Sequence, residues 1–132
     1  MAKRVGKPGI VKQEAFTTAL KKGDPVMVLV GGNRKKQKVL RGLTGKIQRF
    51  LPKKNRVVVE GVNFIKRHKR ATSPQDVGGI ITKEGSVHIS NVMFYAQDLK
   101  RPVRVKYQTT KDGRKVRGFM HPETKKFEQI DT

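Results

Sequence analysis

Between residues 23 and 61 the chain reads GDPVMVLVGGNRKKQKVLRGLTGKIQRFLPKKNRVVVEG, and its apolar positions fall into three short runs at 25–30, 43–50 and 56–60. Val26, Val28 and Val30 alternate with Met27 and Leu29, so the first run is apolar on both faces and is expected in the middle of a sheet. Ile47 and Phe50 in the second run, with Val57 and Val59 in the third, read as strands with one buried face. No helical period intervenes, and the joining segments are rich in Gly, Lys and Arg. This pattern predicts a mostly β chain built on a small, strongly bent antiparallel barrel. The strands hold the core and the loops hold the charge.

The flanking segments add weaker signals. Residues 1–12 contain Lys3, Arg4, Lys7 and Lys12 broken by Gly6, Pro8 and Gly9, a basic arm too poor in apolar surface to fold alone. Phe16 and Leu20 lie four apart in 13–22, which suggests one helical turn ended by Gly23 and docked on the barrel. After the third strand Gly61 bends the chain, Phe64 and Ile65 dock, and 66–70 leave as a basic run. Further on, Ile80–Thr82 and Val87–Ser90 are expected to pair across 83–85, and 92–95 supplies the last core strand. Asp112–Gly113 between the runs at 103–107 and 115–120 is a hairpin signal. Arg104 and Lys106 alternate there with Val103, Val105 and Tyr107, so one face should be basic and the other apolar. No internal repeat is visible. The expected units are a basic N-terminal arm at 1–19, a barrel at 20–99 with a protruding loop at 71–82, and a basic C-terminal hairpin and tail at 100–132.

Charge sharpens this picture. The 132 residues include 31 Lys and Arg against 10 Asp and Glu, a net charge of +21. Such self-repulsion burdens a compact chain unless a polyanion neutralises it. The charge is also patterned: 33–70 carries a net of +13, 71–99 a net of −2, and 100–126 a net of +8. Two basic faces around a middle segment turned elsewhere explain this alternation, and nucleic acid is the expected partner.

Other classes find little support. The chain has no Cys, which removes disulfides, thiolate metal sites and Cys nucleophiles. No apolar run approaches the roughly 20 residues of a membrane span, and the basic N-terminus lacks the apolar core of a secretory signal. No membrane partner is expected, and the cytoplasm is the default location. His68, His88 and His121 sit in separate segments without metal-ligand spacing, no acids pair within a segment, and GGNRKKQK lacks the spacing of a phosphate-binding loop. No enzyme, metal, cofactor or small-molecule substrate is expected. His68 is read as a phosphate or solvent contact and His88 as a surface strand residue. Aromatic residues are sparse, and Phe50, Phe64 and Phe94 are read as core, so the chain is not expected to be a single-strand stacking platform. Shape and phosphate recognition of folded RNA is the expected mode. Its principal contacts are Arg34, Lys35, Lys36, Lys38, Arg41, Lys53, Lys54, Lys66, Arg67, Lys69 and Arg70. Lys22, Asn33, Lys46, Arg49, Asn63, His68, Arg104, Lys106, Arg114 and Lys115 complete the candidate surface.

Gly23–Asp24, the strand that follows, the basic loop and Leu43-Thr44-Gly45-Lys46-Ile47 together resemble a KOW motif, with Gly45 in the place of its glycine. The runs EGVNFIKRHKR (60–70) and GGIITKEGSVHISNVMFY (78–95) then resemble bacterial large-subunit ribosomal protein twenty-four, and the likeness extends from about residue 20 to 120. The resemblance implies an SH3-like antiparallel barrel with a protruding loop and a C-terminal extension. It implies a structural protein that binds the 5′ region of large-subunit rRNA and helps organise it early in assembly, beside neighbouring ribosomal proteins at the nascent-chain exit. The loop Ser73, Pro74, Gln75, Asp76, Gly78 and Gly79 would approach that exit, and no homo-oligomer is expected. The sequence departs from the family in its longer GGNRKKQKVLRG loop and its longer N-terminal arm. The alternative is a KOW-containing transcription or elongation factor that contacts RNA and polymerase.

Overall fold

The computed structural model describes residues 18–35 and 37–130. The arm at 1–17, with most of the expected helical turn, and Lys36 lie outside the described residues. In the described part of that turn, 18–22 form a bend and a turn rather than helix. The strands in chain order are β1 (Pro25–Val28), β2 (Gly32–Asn33), β3 (Lys38–Val39), β4 (Thr44–Leu51), β5 (Arg56–Val59), β6 (Phe64–Lys69) and β7 (Gly79–Glu84). They continue with β8 (Ser86–His88), β9 (Val92–Ala96), β10 (Arg101–Val103), β11 (Val105–Thr109), β12 (Lys115–Met120) and β13 (Phe127–Gln129). The only helical pieces among the described residues are the 3-10 turns Pro52–Lys54 and Ile89–Asn91.

Six strands form the main sheet in the order β10-β9-β1-β4-β5-β8, with every neighbouring pair antiparallel. The doubly apolar strand β1 lies inside it, between β9 and β4, as its pattern requires. Val26 and Val28 point into the core, whereas Val30, beyond the end of β1, is 64% exposed. The ladder ends at β8 and β10 without a pairing between them, so hydrogen bonds do not close the bent sheet into a ring. Bending enters through β4, where the register against β5 shifts between Ile47 and Arg49. An extra residue on one strand raises the local twist and turns the strand.

Two glycines carry tight contacts that explain local sequence. A Cβ on Gly45 would be driven into the Glu60 carbonyl oxygen and would stand 2.9 Å from Val59 Cγ1. Close strand approach therefore demands glycine at the KOW position. Gly85 is the second case, because its absent Cβ leaves room for the Asn63 carbonyl oxygen, to which its own N–H donates at 2.7 Å.

That crossing at Gly85 overturns the hairpin expected between 80–82 and 87–90. Instead β7 pairs with β6 over six positions, and β8 leaves to extend the main sheet against β5. Most of the basic run, 66–69, thus becomes part of one strand of a two-stranded ribbon, with Arg70 just beyond its end. Phe64, expected in the core, opens this ribbon and is 51% exposed. Phe50 and Phe94 do pack inward.

The main core gathers Val26, Val28, Leu40, Ile47, Val57, Val59, Val62, Val87 and Val92. A second cluster of Phe94, Ala96, Val103 and Phe119 joins the main sheet to the C-terminal sheet β11-β12-β13, and Leu20 packs against both clusters. The Asp-Gly hairpin forms as expected, from Val105↔Phe119 to Thr109↔Lys115, with Gly113 at φ +78. The run at 103–107 divides at Arg104, so β10 belongs to the main sheet and β11 to the C-terminal one. The third strand of that sheet, β13, was not anticipated.

Candidate nucleic-acid interface

The loop at 31–40 is a small ribbon in which Gly32 faces Val39 and Asn33 faces Lys38. Asn33 shapes its tip, since Oδ1 accepts the Lys35 N–H at 3.0 Å. Leu40 anchors the base in the core, leaving Arg34 and Lys35 exposed. Lys38 is half-buried, and its Nζ donates to the Phe64 carbonyl at 2.6 Å. This bond brings two regions that the sequence keeps 26 residues apart together, the basic loop and the root of the β6–β7 ribbon.

The second basic turn is equally ordered. Lys53 and Lys54 are exposed on a 3-10 turn closed by Asn55 at φ 51, whose carbonyl accepts the Ile89 N–H at 3.0 Å. Lys46 and Arg49 are exposed on β4, and Lys22 and Arg41 in turns. Arg56, by contrast, is half-buried, and its guanidinium donates to Ser86 Oγ and the Ser86 carbonyl at 2.8 Å each. Asn63 plays a similar structural part: it adopts φ 59, and its amide donates to the Ser86 carbonyl at 3.1 Å.

Along the β6–β7 ribbon the alternation of a strand places Lys66 and His68 on one face and Arg67 and Lys69 on the other. Opposite them, Ile80 is 62% and Ile81 45% exposed. At the tip Arg70, Ser73, Pro74, Gln75 and Gly79 are exposed, and Asp76 and Gly78 are half-buried. Asp76 organises this turn, accepting from Lys69 Nζ at 3.0 Å and from the Thr72 hydroxyl at 2.9 Å. The Lys69 ammonium and then the Thr72 hydroxyl hold its carboxyl below the ordinary value of 3.8. Lys69 is therefore already engaged within the tip.

In the C-terminal sheet Arg104, Lys106, Arg114 and Lys115 are exposed, and Lys115 Nζ stands 4.6 Å from the Tyr107 ring centre. Tyr107 is itself 48% exposed, so the apolar face expected of this hairpin is incomplete. Arg117 behaves unlike every candidate cation above. It is buried, grips both carboxylate oxygens of Asp24, and donates to the Ala19 carbonyl at 2.9 Å. The pair spans 93 residues, and no local spacing announces it.

Reaction chemistry finds no grouping to support it. His68 is exposed on β6, His88 Nδ1 accepts the Ser90 N–H, and His121 Nδ1 accepts two N–H groups of its own turn. No group of three or more metal-ligating side chains occurs among the described residues, and none of their helices is long and apolar enough to cross a membrane. Fold and surface define a small, highly basic, antiparallel β-protein.

A family model described as large ribosomal subunit protein uL24, C-terminal domain, matches residues 62–122. The large ribosomal subunit protein uL24 of Geobacter metallireducens is 48% identical over 98 residues, covering 74% of this chain and 83% of that protein. The protein of the same name from Carboxydothermus hydrogenoformans is 45% identical over 98 residues, covering 74% and 85%. That of Synechococcus sp. strain CC9902 is 41% identical over 117 residues, covering 89% and 92%. The chain belongs to the uL24 family of large ribosomal subunit proteins, whose members are structural components of the bacterial cytoplasmic ribosome. The polymerase-factor alternative gives way to this membership.

Proposed function

We propose that the chain binds large-subunit rRNA through its exposed loops and helps organise the 5′ region of that RNA during subunit assembly. The observation that carries this reading is the division of labour among the cations. Arg34, Lys35, Lys53, Lys54, Lys66 and Arg67 stand exposed on turns and ribbons that hydrogen bonds hold in shape, while Arg56 and Arg117 are buried or half-buried in the fold. Turns already held in shape present these cations to phosphates without a further cost of ordering the backbone.

In this reading the bent main sheet, unpaired between β8 and β10, is an open SH3-like barrel carrying the KOW turn at Gly45, spanning 20–99, with 1–19 as a basic arm and 100–132 as a basic extension. The β6–β7 tip around Asp76 faces the nascent-chain exit and neighbouring ribosomal proteins, and the protein acts without forming a homo-oligomer. The test is RNA binding by the full chain carrying Arg34→Gln, Lys35→Gln, Lys53→Gln and Lys54→Gln. Each lost phosphate contact should lower the slope of log affinity against log salt by about 0.7–0.9. Unchanged affinity and slope for a labelled 5′ rRNA transcript would refute the proposal.

A further inference from the structure

On the C-terminal sheet, Gly118 faces Lys106 across one ladder and Gln129 across the other, so these three residues share a face. Met120 and Phe127 form the next pair along that face. A Cβ on Gly118 would stand 2.6 Å from Phe127 Cζ and 2.8 Å from Cε1. The ring thus reaches back over Gly118, into space that only a glycine leaves open. It remains half-buried rather than covered. Beside it lies a cleft of about 410 Å³ lined by Lys106, Tyr107, Gln108, Met120, Lys125 and Phe127.

The turn that brings Lys125 to this cleft is well tied. The Lys125 N–H donates to the His121 carbonyl at 2.9 Å, and His121 Nδ1 accepts the Glu123 and Thr124 N–H groups at 3.2 Å each. Both Lys125 and Phe127 lie beyond the residues matched by the family model, which end at 122.

We propose that this cleft is a stacking site for a single unpaired RNA base. Phe127 supplies the platform, Lys106 and Lys125 meet the flanking phosphates, and Gln108 is available to the base edge. A half-buried ring in a cleft that two lysines also line matches a planar base on an anionic backbone. The site rests on the RNA-binding reading above and adds unpaired-base recognition, which the sparse aromatic content argued against.

The test uses the full chain and a fluorescent transcript of the 5′ region of bacterial large-subunit rRNA. Phe127→Leu keeps an apolar cover but removes the π-face, and binding should weaken about 5- to 150-fold with the salt slope unchanged. Phe127→Tyr should bind like the parent, and Lys125→Gln should reduce the slope by about one. Ultraviolet cross-linking of the parent complex should place a nucleotide on the peptide containing Phe127, a readout that needs no variant to fold. Parent-like binding by a folded Phe127→Leu overturns the stacking site while leaving the proposed function standing. So do cross-links that fall only on the basic loops, or on a ribosomal protein seated over Phe127 in the assembled subunit. Failure of the parent chain to bind the transcript overturns both.

Discussion

Replacing Arg117 with Met should destabilise the protein far more than any surface cation would. The Arg117 side chain is 2% exposed and that of Asp24 10%. The substitution removes both hydrogen bonds from the guanidinium to Asp24 and the one to the Ala19 carbonyl. It leaves the Asp24 carboxylate buried, with the Lys21 N–H still donating at 2.7 Å. Breaking one side of a buried ion pair costs about 3–5 kcal/mol, a large share of the roughly 5–15 kcal/mol that holds a domain folded. At roughly 4 °C per kcal/mol for a chain of this size, Tm should fall by about 12–20 °C. Thermal melting followed by far-UV circular dichroism measures the loss. Asp24→Leu combined with Arg117→Met should recover most of it, since no uncompensated charge is then buried. A loss below about 0.5 kcal/mol for Arg117→Met, typical of a surface substitution, would refute the claim that this pair fastens the C-terminal sheet to the entry of β1.

Three further outcomes follow from other parts of the fold. Gly45→Ala should cost about 1–3 kcal/mol in chemical denaturation, because the new methyl meets the Glu60 backbone; wild-type stability would sink the close-approach argument. Ile47→Ala, at a site 2% exposed, should cost about 2–5 kcal/mol in the same assay. Asp76 has a folded carboxyl held below 3.8, so its contribution to the ribbon tip is complete above the ordinary carboxylate value and lost as pH falls through the lowered one. Chemical shifts of the tip amides should follow that titration in the parent and not in Asp76→Asn; identical profiles would count against it.

The basic turns and the KOW glycine show how local pattern and tertiary structure divide the account. Alternation at 25–30, the Gly45 position and the Asp-Gly turn are local properties, and each produced the element expected of it. The exposure of the charge was legible for the same reason, since a cation without a buried partner must face water, but much of it stands on strands rather than loops: Lys46 and Arg49 on β4, and Lys66, Arg67 and Lys69 on β6. Pairing across long distances was not. β7 pairs with β6 rather than with β8, and Gly85 permits this because the Asn63 carbonyl occupies the place a side chain would need. Arg117 looked like one more cation in a basic tail until the fold set it against Asp24, 93 residues away. Phe127 lies in a tail whose sequence carries no strand signal, and β13 lays its ring over Gly118. By itself the sequence determined the strand type, the turn chemistry and the basic character, all governed by neighbours within a few residues. Only the tertiary structure decided which strands pair, which cations are withdrawn from the surface and which aromatic ring is presented. Those outcomes depend on steric room and charge compensation between segments that meet only after folding.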